Sequence, residues 1–141
     1  MAAMQIMNDK IQQACRLLEE LNIDLWVIFV RETLMQADPT LALVVGFDAT
    51  WPSFFIYSRK GDAIALVGKL DEENYTRSGC FTDVVTYTQG VKDDFVRLVK
   101  RLDPRQIAVN YSANNPAADG LTHGMYLMLL GYLNRRKAML R

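Results

Sequence analysis

A single α/β domain, layered α/β/α around a mixed, mostly parallel sheet that includes one β-hairpin, is what this sequence predicts. Three observations carry the prediction. Short runs rich in β-branched and aromatic residues alternate with helical stretches of about ten to fifteen residues, which implies parallel strands with helices on the sheet faces. Two consecutive runs, Ser53-Phe-Phe-Ile-Tyr57 and Ala63-Ile-Ala-Leu-Val67, instead flank a short polar connection containing Gly61, the pattern of an antiparallel hairpin. The chain has 141 residues, 50% of them apolar, enough for one core without disulfide or metal staples.

The elements follow in order. A helix is expected from about Met4 to Leu21, with Ile11, Cys15, Leu18 and Leu21 on one stripe and Asn22 as its stop. The apolar run Asp24-Leu-Trp-Val-Ile-Phe-Val30 suits an interior strand covered on both faces. Residues 31–52 are the hardest to assign. Asp38-Pro39 signals a turn or helix start, Thr40 to Val45 fits a short helix or a strand, and residues 46–52 read as a loop whose aromatics pack in part. After the hairpin, Lys69 to Gly79 reads as a helix with Asp71 as a candidate cap and Gly79 as the stop. Asp83 to Tyr87 is a short strand. Val91 to Leu102 is an amphipathic helix ended by Pro104, with acids at its start and Lys100 and Arg101 at its end. Gln106 to Asn110 is the last strand, and a closing helix should run from near Thr122 to about Lys137.

The charge balance is even, 16 lysines and arginines against 16 aspartates and glutamates. No global field therefore attracts nucleic acid or an acidic membrane. The local basic group of Arg135, Arg136, Lys137 and Arg141 fits a dipole role at a helix C-terminus. No apolar run approaches the roughly 20 residues needed to span a bilayer. The N-terminus lacks the basic segment of a signal peptide. Cys15 and Cys80 stand outside any metal-binding spacing, and the expected compartment is the cytoplasm.

Few residues invite a chemical role. His123, the one histidine, lies four residues after Asp119 and could form an orienter–base pair or two metal ligands. No G-x-S-x-G motif or second histidine supports either, so a structural role at a helix start is preferred. Asp71, Glu72 and Glu73 are consecutive, so they point in different directions and suit a helix start better than a metal cluster. Asp38 and Asp48 could pair as acid and base, but each is explained as a turn or cap residue. Glycine-rich phosphate loops are absent. No catalytic, cofactor-binding or metal-binding residue is therefore assigned. Trp51, before Pro52 in a loop, could anchor an interface or pack under the hairpin. In the closing helix Met125 to Leu130, Tyr132 and Leu133 leave almost no polar face, which predicts a covering partner and makes Tyr126, Leu130 and Leu133 candidate interface residues.

Three segments together carry a family resemblance: V-I-F-V-R-E-T and A-D-P-T-L within residues 27–41, G-F-D-A-T-W-P-S-F-F-I at 46–56, and I-A-V-N-Y-S-A-N-N-P-A-A-D-G-L-T-H-G-M-Y at 107–126. The chain resembles the N-terminal domain of the creatinase/prolidase/aminopeptidase P group, which precedes the pita-bread metallopeptidase domain. The resemblance implies a three-layer, ribonuclease H-like α/β/α unit. It also implies a parent that cleaves Xaa-Pro bonds with a pair of divalent metals held by Asp, His and Glu ligands. Those ligands belong to the C-terminal domain and match no position here, so the catalytic domain is expected to lie beyond Arg141. The implied role is assembly and substrate access, with the chain's own catalytic domain or further copies of itself as partners. A stand-alone binding or oligomerisation module is the alternative.

Overall fold

The computed structural model describes residues 2–134, 139 and 140. The basic group at 135–137 and 141, and the expected helix end near Lys137, lie outside the described residues. Helix α1 spans Ala2–Leu21 and buries Ile11, Cys15 and Leu18. It ends where Asn22 turns left-handed at φ 56°, a conformation that asparagine tolerates better than most residues.

Strand β1, Leu25–Val30, emerges next and is buried along nearly its whole length. The ambiguous stretch after Asp38-Pro39 is a helix, α2, Leu41–Val44. Its start is set by the Asp38 carboxyl, which accepts from the Thr40 backbone N–H at 2.8 Å and pre-forms the turn. Gly46, at φ 86°, ends it. The hairpin is present as β2, Ser53–Ser58, and β3, Ala63–Gly68, with Gly61 at φ 99° in the turn.

The helix expected from Lys69 is divided. A 3-10 turn covers Lys69–Asp71, and α3 spans Glu72–Ser78 before Gly79 at φ 68°. Asp71 occupies the cap position, but its carboxylate makes no cap bond to α3. It turns towards the loop before β2, where Thr50 donates from its backbone N–H at 2.9 Å and its hydroxyl at 3.0 Å. Strand β4 is Asp83–Tyr87, α4 is Lys92–Leu102 and β5 is Ile107–Val109. After a 3-10 turn at Pro116–Ala118, the Thr122 hydroxyl accepts from the Met125 N–H at 3.1 Å and caps α5, His123–Tyr132.

The strand order is β4-β3-β2-β1-β5. Pairs β1–β2 and β2–β3 are antiparallel, whereas β1–β5 and β3–β4 are parallel. Among the described strands β2 alone is therefore reversed, and the sheet is mixed but mostly unidirectional. Alternate residues of each strand feed two separate cores, as a period of two requires. On one face Ile28, Phe55, Tyr57 and Ala65 meet α1, α2 and Tyr75 of α3. On the other, Val27, Phe29, Phe54 and Ile56 meet α4 and α5. There Phe29, Phe54 and Phe95 form a continuous stack, with ring centroids 4.2 and 3.8 Å apart.

Helix α5 lies against this second face. It buries Met125, Leu129 and Leu130 but leaves Leu127 51% exposed. A helix on the outer layer is covered on one side only, so its apolar outer stripe remains on the surface.

Candidate interaction site

Because β1, β3, β4 and β5 run the same way, their carboxyl ends share one edge of the domain with the segment that enters β2. In open α/β sheets this is the edge where ligands and partners are received. The irregular residues 31–52 occupy much of it, and buried polar groups hold them in place. Three tyrosines donate to three of the segment's backbone carbonyls: Tyr57 to Val44 at 2.6 Å, Tyr75 to Asp48 at 2.9 Å, and Tyr87 to Pro52 at 2.5 Å. Burial pushes all three phenols up. Neighbouring thiols and Tyr75 add to the effect at Tyr57, and the Asp71 and Asp48 carboxylates add to it at Tyr75. Tyr87 reaches about 12, raised by burial first and then by Asp71 and Tyr132. Thr33 closes the set, its hydroxyl donating to Asp48 at 3.0 Å and accepting from the Ala49 N–H at 2.9 Å.

A second buried group lies where the 110–121 loop crosses α2. The Asp38 carboxyl, 3% exposed, accepts from the Thr40 N–H at 2.8 Å, the Thr40 hydroxyl at 2.6 Å, and the Asn110 amide at 3.0 Å to each oxygen. Asn110 in turn accepts from the Trp26 indole N–H at 2.9 Å. The loop passes so closely that a Cβ on Gly120 would sit 2.0 Å from an Asp38 carboxyl oxygen. The network thus joins β1, the start of α2 and the end of β5. Sequence reasoning identified Asp38 as a turn residue but missed Trp26, Thr40, Asn110 and Gly120 as its companions. The one local signal was the Asp-Pro-Thr turn spacing.

On the outside of the same loop Tyr111 stacks on Tyr126, with centroids 4.4 Å apart and planes at 3°. The Tyr111 hydroxyl lies 3.4 Å from His123 Nδ1. Asp119 does not serve His123. Its carboxylate accepts from the Ser112 N–H at 3.0 Å and shapes the loop. The other acids are similarly separated. Glu72 pairs with Lys69, Glu73 lies 3.3 Å from Arg77, and Asp38 and Asp48 serve different networks. Among the described residues no three His, Cys, Asp or Glu side chains gather as a metal-ligating group.

The four interface candidates divide. Trp51 is half-buried. It packs so tightly on Gly68 that a Cβ there would lie 2.4 Å from its ring, and it sits 6.0 Å from the Tyr87 ring. Its remaining edge borders a groove of about 330 Å³ shared with Pro52, Tyr87 and Tyr132. Tyr126 is half-buried in the stack with Tyr111. Leu130 and Leu133 are instead buried, at 8% and 1% exposure, and Leu133, which follows the last turn of α5, joins the core between α5 and the sheet. Leu127 and Tyr111 take their place on the surface. No helix among the described residues is long and apolar enough to cross a membrane.

No protein-family model matches the sequence, and no curated protein matches it. Solved structures do resemble the fold. The creatinase/prolidase N-terminal domain of an X-Pro dipeptidase from Streptococcus pyogenes superimposes with a TM-score of 0.68 at 14% identity, covering 95% of this chain and 92% of that one. An Xaa-Pro dipeptidase from Bacillus anthracis matches with a TM-score of 0.66 at 17% identity over 95% of this chain. An X-Pro aminopeptidase from Thermotoga maritima matches with a TM-score of 0.68 at 15% identity over 89% of it. The chain spans 32% of each of the latter two proteins. The fold is thus the creatinase/prolidase N-terminal domain fold, a three-layer α/β/α unit.

Proposed function

We propose that this chain acts as the non-catalytic N-terminal domain of an Xaa-Pro peptidase-like metalloenzyme, serving oligomer assembly and access of substrate to the active site. The observation that carries the reading is the match over nearly the whole chain to a domain of the same extent from an X-Pro dipeptidase. The carboxyl-end rim supports it. Its inner side is tied down by buried hydrogen bonds, while Trp51, Tyr111, Tyr126 and Leu127 offer aromatic and apolar surface of the kind that interfaces use. In this reading the pair of divalent metals sits in a separate catalytic domain, and the partners are that domain and further copies of this chain. Two free, buried cysteines accord with a cytoplasmic setting.

The test is direct. The purified chain is assayed on Xaa-Pro dipeptides and tripeptides with added manganese, and its association is followed by sedimentation. We expect no turnover and a concentration-dependent oligomer. Hydrolysis that disappears in His123→Ala would overturn the non-catalytic reading, and a monomer at every concentration would overturn the assembly role.

A further inference from the structure

Asp119-Gly120 is the one Asp-Gly pair in the sequence, and there is no Asn-Gly pair. Such a pair can rearrange, because a glycine nitrogen with no side chain beside it is free to attack the preceding carboxyl. The Gly120 nitrogen bonds to Cγ of Asp119, and its proton leaves with a carboxyl hydroxyl as water. The resulting five-membered succinimide takes up water at its main-chain carbonyl, which breaks the original peptide bond between the two residues. The product is isoaspartate. Its backbone runs through Cβ and Cγ, the α-carboxyl is set free, and the mass is unchanged.

The fold both imposes this pair and restrains it. Glycine is imposed because a Cβ at position 120 would meet an Asp38 carboxyl oxygen at 2.0 Å. Asp119 is exposed to water, and its carboxylate accepts from the Ser112 N–H at 3.0 Å. Its ψ is 60°. At this angle in an L-residue the following nitrogen stands anti to Cβ, whereas closing the ring requires the two to eclipse. The peptide must therefore rotate by about half a turn before Gly120 can attack. Hydrogen bonds on both sides oppose that rotation. The Asp119 N–H donates to the Pro116 carbonyl at 3.3 Å, and the Leu121 N–H donates to the Asn110 carbonyl at 2.9 Å.

We infer that Asp119-Gly120 is a covalent modification site gated by its loop, converting to isoaspartate only in chains whose 110–121 loop has come away from Asp38. Conversion also damages the loop. The additional backbone carbon falls where Gly120 passes Asp38, so the buried network re-forms poorly around it.

The test holds three samples in warm neutral buffer: the folded full chain, the full chain in urea, and a blocked peptide spanning Ala117 to Thr122. Isoaspartate at position 119 is measured by peptide mapping with mass spectrometry, and circular dichroism verifies folding. The urea sample and the peptide should convert alike. The folded chain should convert at least about tenfold more slowly, because its rate scales with the fraction of open loops. Asp38→Asn, which loosens the contacts behind Gly120, should raise the folded rate several-fold. The isoaspartyl chain, separated by chromatography, should unfold at a lower urea concentration than its parent. A folded chain that converts as fast as the peptide, or an Asp38→Asn chain no faster than wild type, overturns the gating. Absence of isoaspartate from the unfolded chain overturns the site itself, and an isoaspartyl chain as stable as its parent overturns the damage.

Discussion

The inner and outer sides of the loop after β5 use similar residues to opposite ends. Inside, Asn110, Asp38, Thr40 and Trp26 satisfy one another's hydrogen bonds in a largely buried site. Outside, Tyr111 stacks on Tyr126 and approaches His123 while remaining 43% exposed. A buried network is costly to break because each orphaned group stays desolvated, whereas a surface stack can exchange its contacts for water or a partner. The inner set therefore secures the fold, and the outer set is free to recognise something.

Substitutions can break this comparison. Gly120→Ala should have the largest effect, destabilising by at least about 3 kcal/mol in urea unfolding, since its methyl would displace the Asp38 carboxyl and several bonds with it. Asp38→Asn should cost about 2–3 kcal/mol in the same measurement, because an amide donor would then face the Asn110 amide. Trp26→Phe should cost about 1–2 kcal/mol by leaving the Asn110 oxygen without its indole donor. Tyr111→Ala should cost less than about 1 kcal/mol, the scale of one exposed aromatic pair, yet weaken self-association if this surface is used. A Tyr111 variant as destabilised as the Asp38 variant would erase the distinction.

Alkaline titration probes the tyrosine tethers of residues 31–52. The folded chain holds the Tyr87 proton up to about 12, whereas an unfolded tyrosine releases it near about 10. This contribution to stability is complete below pH about 10 and falls as pH rises towards about 12. Phenolate absorbance should therefore rise together with loss of structure in that interval. Tyr87→Phe should leave the Pro52 carbonyl without this donor and remove part of the pH dependence.

Most elements were legible in the sequence because local rules decide them. The β-branched run at 25–30 suited an interior strand, Gly61 and Gly79 marked turns that need positive φ, and Pro104 ended α4. Asp71 was placed correctly at a helix start, but the bonding of its side chain was not foreseen, since Thr50 is 21 residues away. Asn110 meets Asp38 across 72 residues, a juxtaposition that no local spacing encodes. The closing helix shows the same division. Its composition declared an apolar surface on every side, but which residues faced the core depended on how α5 settles against the sheet. Leu130 and Leu133 went inward, and Leu127 was left outside. Sequence alone determines where backbone conformation and hydrophobic period change, because those depend on near neighbours. Only the tertiary structure decided which polar groups are buried together and which aromatics remain exposed, because both follow from contacts between distant segments.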